Sequence, residues 1–335
     1  MIRLGFDSYS LRAFRWKAPR LLEYAASQKL DSIQLSGLED FDNFEPDYLA
    51  KIRAQAEAAG LVIDGGIGCI CPLSKSYNAK NGTPEQYLEK GIRVAHALGA
   101  RSMRCFLGAS ADRRAAWIDA CIEATVKPLK AVRALATDLN VKVAVENHSG
   151  DMQAWELREL ILAAGKDHVA ACLDTGNPMW VVEDPQVTLE ILGPYTVTTH
   201  IRDSVVFEHP RGAAAQWVTL GDGVIDFKKF VARFRELCPE STMQLENITG
   251  RPPTVLPYLE AEFWKAFPKA RASEFARFVE IARTGHPFMG FMVLEDGGNR
   301  TPENEAALRE QQRRDLERGF EYARKVLDIG IRWRS

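Results

Sequence analysis

Short apolar runs and longer runs of helical period alternate along the chain. "IRLGF" (2–6) precedes a helical pattern over 18–28, and "DSIQLS" (31–36) precedes one over 46–59. "LVIDGG" (61–66) is followed by a pattern over 84–98, and "RSMRCF" (101–106) by one over 111–138. "VKVAVE" (141–146), "VAACLD" (169–174) and "TVTTHI" (196–201) precede helical patterns over 154–164, 185–192 and 226–237. "MQLEN" (243–247) is the eighth strand-like run, and a last helix is expected over 304–327. Apolar runs of this length, each followed by a 3.6-residue period, predict parallel strands joined by crossover helices. Eight such units close a (β/α)8 TIM barrel. A doubly wound open sheet competes with it, but no G-x-G-x-x-G follows the first strand.

Helix ends agree with this reading. Asp226 is placed to cap its helix, Pro84 and Pro185 suit a first turn, and Gly60 and Gly99 stand where a helix stops. One connection is out of scale. Residues 248–303 separate the eighth strand from the last helix, against the usual loop of about 2–6 residues. The stretch is rich in aromatic residues and has its own helical pattern over 272–283. It is expected to be an ordered insertion over the C-terminal mouth of a single domain spanning 1–335, serving as a lid, a subunit contact or both. "MVLEDGGNRTPENE" after it reads as a turn-rich surface connection.

Composition narrows the function. The chain is 46% apolar and 26% charged, ordinary for a globular protein. A net charge of −2 gives no electrostatic case for nucleic acid or an anionic membrane as partner. No apolar run approaches the ~20 residues that span a bilayer. The first residues already carry a strand pattern, with no apolar core behind a basic flank, so a cytoplasmic location is expected. Six cysteines are too few for a disulfide framework, and the Cys69-x-Cys71 pair lacks a second pair to complete a zinc site. They are expected to be packed thiols.

The chemistry is concentrated at four strand ends. The fifth run ends in Glu146, the sixth in Asp174, the seventh in His200 and the eighth in Glu246. In a barrel the C-terminal ends of neighbouring strands converge on one bowl. Three crowded carboxylates repel and raise one another's pKa, and a divalent cation relieves that repulsion. An oxygen-rich set with one imidazole and no thiolate suits Mn2+ first, with Mg2+, Co2+ or Zn2+ as alternatives. Four protein ligands on a six-coordinate ion leave two positions for a carbonyl and a hydroxyl of a sugar.

The motifs "VENH", "LDTGNP", "THIRD", "LGDGVIDF" and "LEN" resemble the sugar phosphate isomerase/epimerase family, the xylose isomerase-like barrels. The resemblance covers residues 1–247 and the last helix, but not the insertion. It implies that Glu146, Asp174, His200 and Glu246 hold the metal, and that Glu146 and Glu246 also shuttle the proton. The family's ketose 3-epimerases carry a histidine shortly after the sixth-strand aspartate, where this chain has Asn177. Endonucleases of the same fold need further histidine ligands and a basic DNA-facing surface, which are missing here.

A site of this kind favours proton abstraction beside a carbonyl. The expected activity is therefore metal-dependent sugar isomerisation or epimerisation through an enediolate. The alternative is the large subunit of a C-glycoside deglycosidase, a carbon–carbon lyase acting on 3-oxo-glycosides by elimination. That family member is also similar in its barrel and metal, and works with a small second subunit. His148, two residues beyond Glu146, is read as general base or substrate donor, against a plain loop histidine. Arg202 and Asp203 are candidates to orient His200 or touch substrate, and Arg251 to meet an anionic or hydroxylated substrate. Trp180 and Trp217 are candidates to stack on a sugar or aglycone. "RRAAW" and "EQQRRDLERGF" read as solvated helix faces. A non-catalytic sugar-binding barrel is the third reading, and the full ligand set argues against it. Partners are expected to be a small sugar or glycoside, with assembly as a homo-oligomer or with a small second subunit.

Overall fold

The computed structural model describes residues 1–114, 118–295 and 300–334. Eight strands form one parallel sheet: β1 (Leu4–Asp7), β2 (Ser32–Gln34), β3 (Val62–Cys69), β4 (Ser102–Phe106), β5 (Lys142–Glu146), β6 (Val169–Asp174), β7 (Thr196–His200) and β10 (Met243–Leu245). Their order is β10-β1-β2-β3-β4-β5-β6-β7. A bridge between Ile201 and Leu245 joins the two ends. There Ile201 N–H donates to Gln244 O at 2.7 Å and Glu246 N–H to Ile201 O at 3.0 Å. The result is a TIM barrel. Around it run α1 (Ala18–Ser27), α2 (Pro46–Ala58), α3 (Pro84–Ala97), α4 (Ser110–Arg114), α5 (Ile118–Ala131), α6 (Arg133–Asp138), α7 (Ala154–Ala164), α8 (Pro185–Leu192), α9 (Phe227–Leu237) and α12 (Pro302–Lys325).

Strands and most helices lie within a few residues of their expected places. Asp226 accepts from Lys229 N–H at 3.1 Å, and Gly60 and Gly99 take positive φ. Among the described residues, the helix expected over 111–138 is interrupted at Val132, between α5 and α6. Pro128 removes one amide donor inside α5, and Val132 leaves helical geometry at φ −89°, ψ 5°.

Two corrections bear on the site. The apolar pattern predicts no strand between Ile201 and Phe227, yet the structure has two there. β8 (Asp203–His209) and β9 (Gly212–Val218) form an antiparallel hairpin, and β11 (Thr254–Leu256) pairs with β9. Val206, Ala213, Ala215 and Leu256 of this small sheet pack on Phe278 and Ala282 of α11 (Ala272–Thr284). Residues 248–301 thus carry β11, α10 (Ala261–Trp264) and α11, and residues 296–299 of the expected surface connection lie outside the described residues. The "RRAAW" face is not simply solvated either. Arg113 is buried, donates to Asp151 O at 2.6 Å and Ala266 O at 2.8 Å, and pairs with Glu156. The last three residues of that motif, 115–117, lie outside the described residues.

The barrel floor is polar. Asp64 accepts from Ser102 Oγ at 2.6 Å, Thr198 Oγ1 at 3.0 Å and Gln244 Nε2 at 2.9 Å. Gln34 Nε2 donates to Thr198 Oγ1 at 3.3 Å, which carries the network up to the site. Gly5 makes room for it, because a Cβ there would lie 2.1 Å from Gln244 Oε1. All six cysteines are buried and unpaired. No helix among the described residues is long and apolar enough to cross a membrane.

Candidate metal centre

Glu146, Asp174 and His200 are the last residues of β5, β6 and β7, and Glu246 directly follows β10. Register pairs Asp174 with His200 and Glu146 with Cys172. The stagger of the strands brings the four side chains together: one ligand atom from each lies within 4.8 Å of the others, and all four residues are buried. Cys172 lies just beneath, close to Glu146 and His200.

The orientation of His200 carries the most information. Its Nε2 hydrogen-bonds Gln34 Oε1 and lies 3.4 Å from Asp7 Oδ2. Two acceptors there assign the Nε2 proton. Its Nδ1 then faces Glu146 Oε1 and Glu246 Oε2, each at 3.3 Å, with no hydrogen bond to either. Positive charge belongs at that point: a proton, or a metal ion. Burial works against an imidazolium, but Cys172, Glu246, Glu146 and Asp7 outweigh it and raise the pKa of His200. The orphaned Nδ1 and the carboxylate groups of Glu146, Asp174 and Glu246 gathered around it fit a divalent cation.

Crowding acts unequally on the carboxylates. Burial and the neighbouring Glu146 and Glu246 push Asp174 up to about 6, against Arg202. Burial also opposes the charge of Glu246, yet Arg202 and His200 bring it down to about 2. Glu146 is held well below the usual range by Arg104, His200 and His148, again against burial.

Arg104 was not anticipated. Its Nε lies 2.5 Å from Glu146 Oε2, a terminal nitrogen pairs with the same oxygen, and the guanidinium rests 4.7 Å from the Phe106 ring centre. Alternation in "SMRCF" already places Ser102, Arg104 and Phe106 on one side of β4, opposite Met103 and Cys105. An arginine on the face shared with a strand-end aromatic was the available signal.

The other sequence candidates gather at the same mouth, around a cavity of about 920 Å³ lined by His148, Asn177, Trp180, Arg202, Trp217, Glu246 and Arg251 among others. Asn177 Nδ2 donates to Asn147 O at 2.9 Å and reaches Glu146 Oε1 at 3.2 Å. Asn147 splices β5 to β6: its amide donates to Asp174 O at 3.0 Å and accepts from Asp174 N–H at 2.9 Å. His148 stacks on Phe106 with centroids 3.9 Å apart. Its Nδ1 lies 2.6 Å from Gly108 O, which places the proton there and leaves Nε2 bare. Burial, helped by Arg104, lowers its pKa and favours the neutral ring. Trp180 and Trp217 stack at 4.3 Å, and Trp217 comes from the unforeseen hairpin. Arg251 is at the rim, 3.3 Å from Glu295. Arg202 contacts ligand-type residues directly, with its Nε 2.8 Å from Asp174 Oδ2.

Asp203 does something else. Its carboxylate accepts from the backbone of Ser204, Gly221, Gly223 and Ile225, at 2.8–3.3 Å. It shapes the "LGDGV" turn. A Cβ at Gly223 would lie 2.1 Å from Asp203 Oδ1, so glycine is required there. Burial pushes Asp203 up to about 7.

Solved structures share this architecture. A D-psicose 3-epimerase determined in the presence of D-fructose aligns at TM-score 0.60 and 18% identity, covering 97% of this chain and 99% of that one. A 3-keto-D-glucoside 4-epimerase from E. coli aligns at 0.57 and 13%, covering 74% and 92%. The IOLI protein with a binding zinc atom aligns at 0.54 and 14%, covering 83% and 95%. No curated protein matches the sequence. Residues 22–254 match the sequence model of the xylose isomerase-like TIM barrels, and the chain belongs to that family.

Proposed function

We propose that this protein is a metal-dependent carbohydrate isomerase or epimerase that moves a proton beside a carbonyl. The observation that carries the proposal is the bare, buried Nδ1 of His200 facing Glu146 and Glu246, the latter of which lines the open cavity. Glu146, Asp174, His200 and Glu246 would hold the ion, Mn2+ first by donor type, with Mg2+, Co2+ or Zn2+ also suited. Bound there, a divalent cation polarises a substrate carbonyl and stabilises negative charge on its oxygen. Structural relatives described as epimerases support the reaction class, and the zinc-bound relative supports a divalent ion.

The proton carriers we assign are Glu246, His148 and Glu146, and they are unequal. Glu246 and His148 line the cavity within reach of a substrate. Glu146 is fully enclosed and clamped by Arg104, which suits it to hold the ion and keep its charge. Asn177 and Arg202 are assigned to substrate oxygens, Arg251 to a group at the rim, and Trp180 and Trp217 to an apolar sugar face or aglycone.

A second reading rests on His148 and on size. A neutral imidazole with a bare Nε2 is a competent base at neutral pH. The cavity of about 920 Å³ is in the range of sites that take drug-sized ligands, which favours a glycoside over a lone monosaccharide. Both suit elimination from a 3-oxo-C-glycoside, with this chain as the large subunit beside a small partner; the isomerase reading pairs instead with a homo-oligomer.

Incubation in deuterated water with ketoses and 3-oxo-glycosides separates these readings. Deuterium entering beside the carbonyl, with the carbon skeleton kept, supports isomerisation or epimerisation. Release of an aglycone supports the lyase. Tight sugar binding with no exchange on any substrate leaves a binding module.

A further inference from the structure

Arg202 stands where a bound cation needs to be. Its Nε donates to Asp174 Oδ2 at 2.8 Å, and a terminal nitrogen pairs with the same oxygen. That nitrogen also lies 2.5 Å from Glu246 Oε2 and 3.6 Å from Glu146 Oε1. One guanidinium nitrogen is therefore surrounded by oxygens from three of the four ligand-type residues. A Mg2+-sized ion holds carboxylate oxygens at about 2.0–2.1 Å. An ion bound to Asp174 and Glu246 would then sit almost on this nitrogen, and two cations in one buried site repel.

Little else anchors the guanidinium. Its second terminal nitrogen is buried with no hydrogen-bond partner. One face rests 4.9 Å from the Trp217 ring centre, and the Nε1 of that indole is also buried without a partner. Arg202 and Trp217 both border the open cavity.

We propose that Arg202 is a built-in counter-cation. In the ion-free protein it neutralises Asp174 and Glu246. Binding of a divalent ion turns it out of the cluster and into the cavity, where its N–H groups meet the substrate's oxygens. The inference rests on the metal reading above. Arg202 is in this respect a positioning residue: it sets ion affinity by competition and makes arginine availability to substrate depend on the ion.

Calorimetric titration of Mn2+ into chelator-stripped wild type, Arg202→Gln and Arg202→Lys tests it. The wild type pays to expel the arginine, so Arg202→Gln binds the ion roughly tenfold or more tightly than wild type. Arg202→Lys, which keeps a cation, stays nearer to wild type. Titration with Zn2+ changes tryptophan emission in the wild type as the guanidinium leaves Trp217, and Trp217→Phe abolishes that change. Equal or weaker Mn2+ binding by Arg202→Gln overturns the proposal, because Arg202 would then support the bound ion from outside. If Arg202→Gln does not fold without an ion, the emission test on the wild type decides: saturating Zn2+ with no Trp217-dependent change overturns it. No binding of either ion by any of the proteins removes the metal centre and this proposal together. Binding of equal strength by wild type and Arg202→Gln removes only the role of Arg202.

Discussion

Arg104 on β4 reaches across to Glu146 on β5 with only 7% of its side chain exposed, and its Nε sits 2.5 Å from Glu146 Oε2. Removing one partner of a buried ion pair strands the other charge, at a cost of about 3–5 kcal/mol. Arg104→Met is expected to lose stability on that scale in urea unfolding of the ion-free protein. The double variant Arg104→Met/Glu146→Leu should recover much of the loss, since no charge is then left unpaired. A single variant as stable as wild type would mean that the pair contributes nothing.

Gln34 fixes which nitrogen of His200 faces the carboxylates, through its Oε1 at Nε2. Groups that orient a ligating histidine are typically worth about 10–100-fold in metal affinity. Gln34→Leu should weaken Mn2+ binding by a factor in that range while leaving the fold intact by circular dichroism. Unchanged affinity would show that Asp7, 3.4 Å away, suffices alone.

Glu183 supplies a pH dependence far from these ligands. It is buried, accepts from Thr188 Oγ1 at 2.6 Å and Ala154 N–H at 3.2 Å, and burial pushes it up to about 8. A carboxyl raised from about 4.5 to about 8 on folding binds more protons folded than unfolded between those values. Its contribution is therefore fully present below pH 4.5 and is lost as pH rises through 8. Glu183→Gln should flatten the decline in unfolding free energy between pH 5 and 8, by an amount on the order of a few kcal/mol. A slope identical in wild type and variant would show that Glu183 titrates normally.

Trp180 and Trp217, stacked at 4.3 Å beside the cavity, are assigned to an apolar substrate face. Trp180→Ala should raise KM severalfold with little change in kcat, since stacking is felt equally in ground and transition states. The effect should be larger for glycosides than for free ketoses. A fall in kcat at constant KM would place Trp180 in the chemistry instead.

The barrel was legible because each unit announces itself twice, by an apolar run and by the helix that follows. The cluster was legible because Glu146, Asp174 and His200 end three successive strands, so topology alone puts them at one depth. Where charge is neutralised was not legible. Arg104 and Arg202 are one and two residues away from fully apolar or ligand positions, but only the register shows which carboxylate each one meets. Arg113 looked like part of a solvated face because its partners, Glu156 and the carbonyls of Asp151 and Ala266, lie 38–153 residues away in sequence. The hairpin was hidden by Ala213, Ala214 and Ala215, which have weak strand preference; Ala213 and Ala215 find their place by packing on α11. That omission also concealed how Trp217 reaches Arg202.

Elemental analysis tests the metal centre most directly. Protein loaded with Mn2+ and desalted should carry about one ion per chain, and His200→Ala and Asp174→Ala should carry little. Wild-type protein that retains no divalent ion, or variants that retain as much as wild type, would contradict the account.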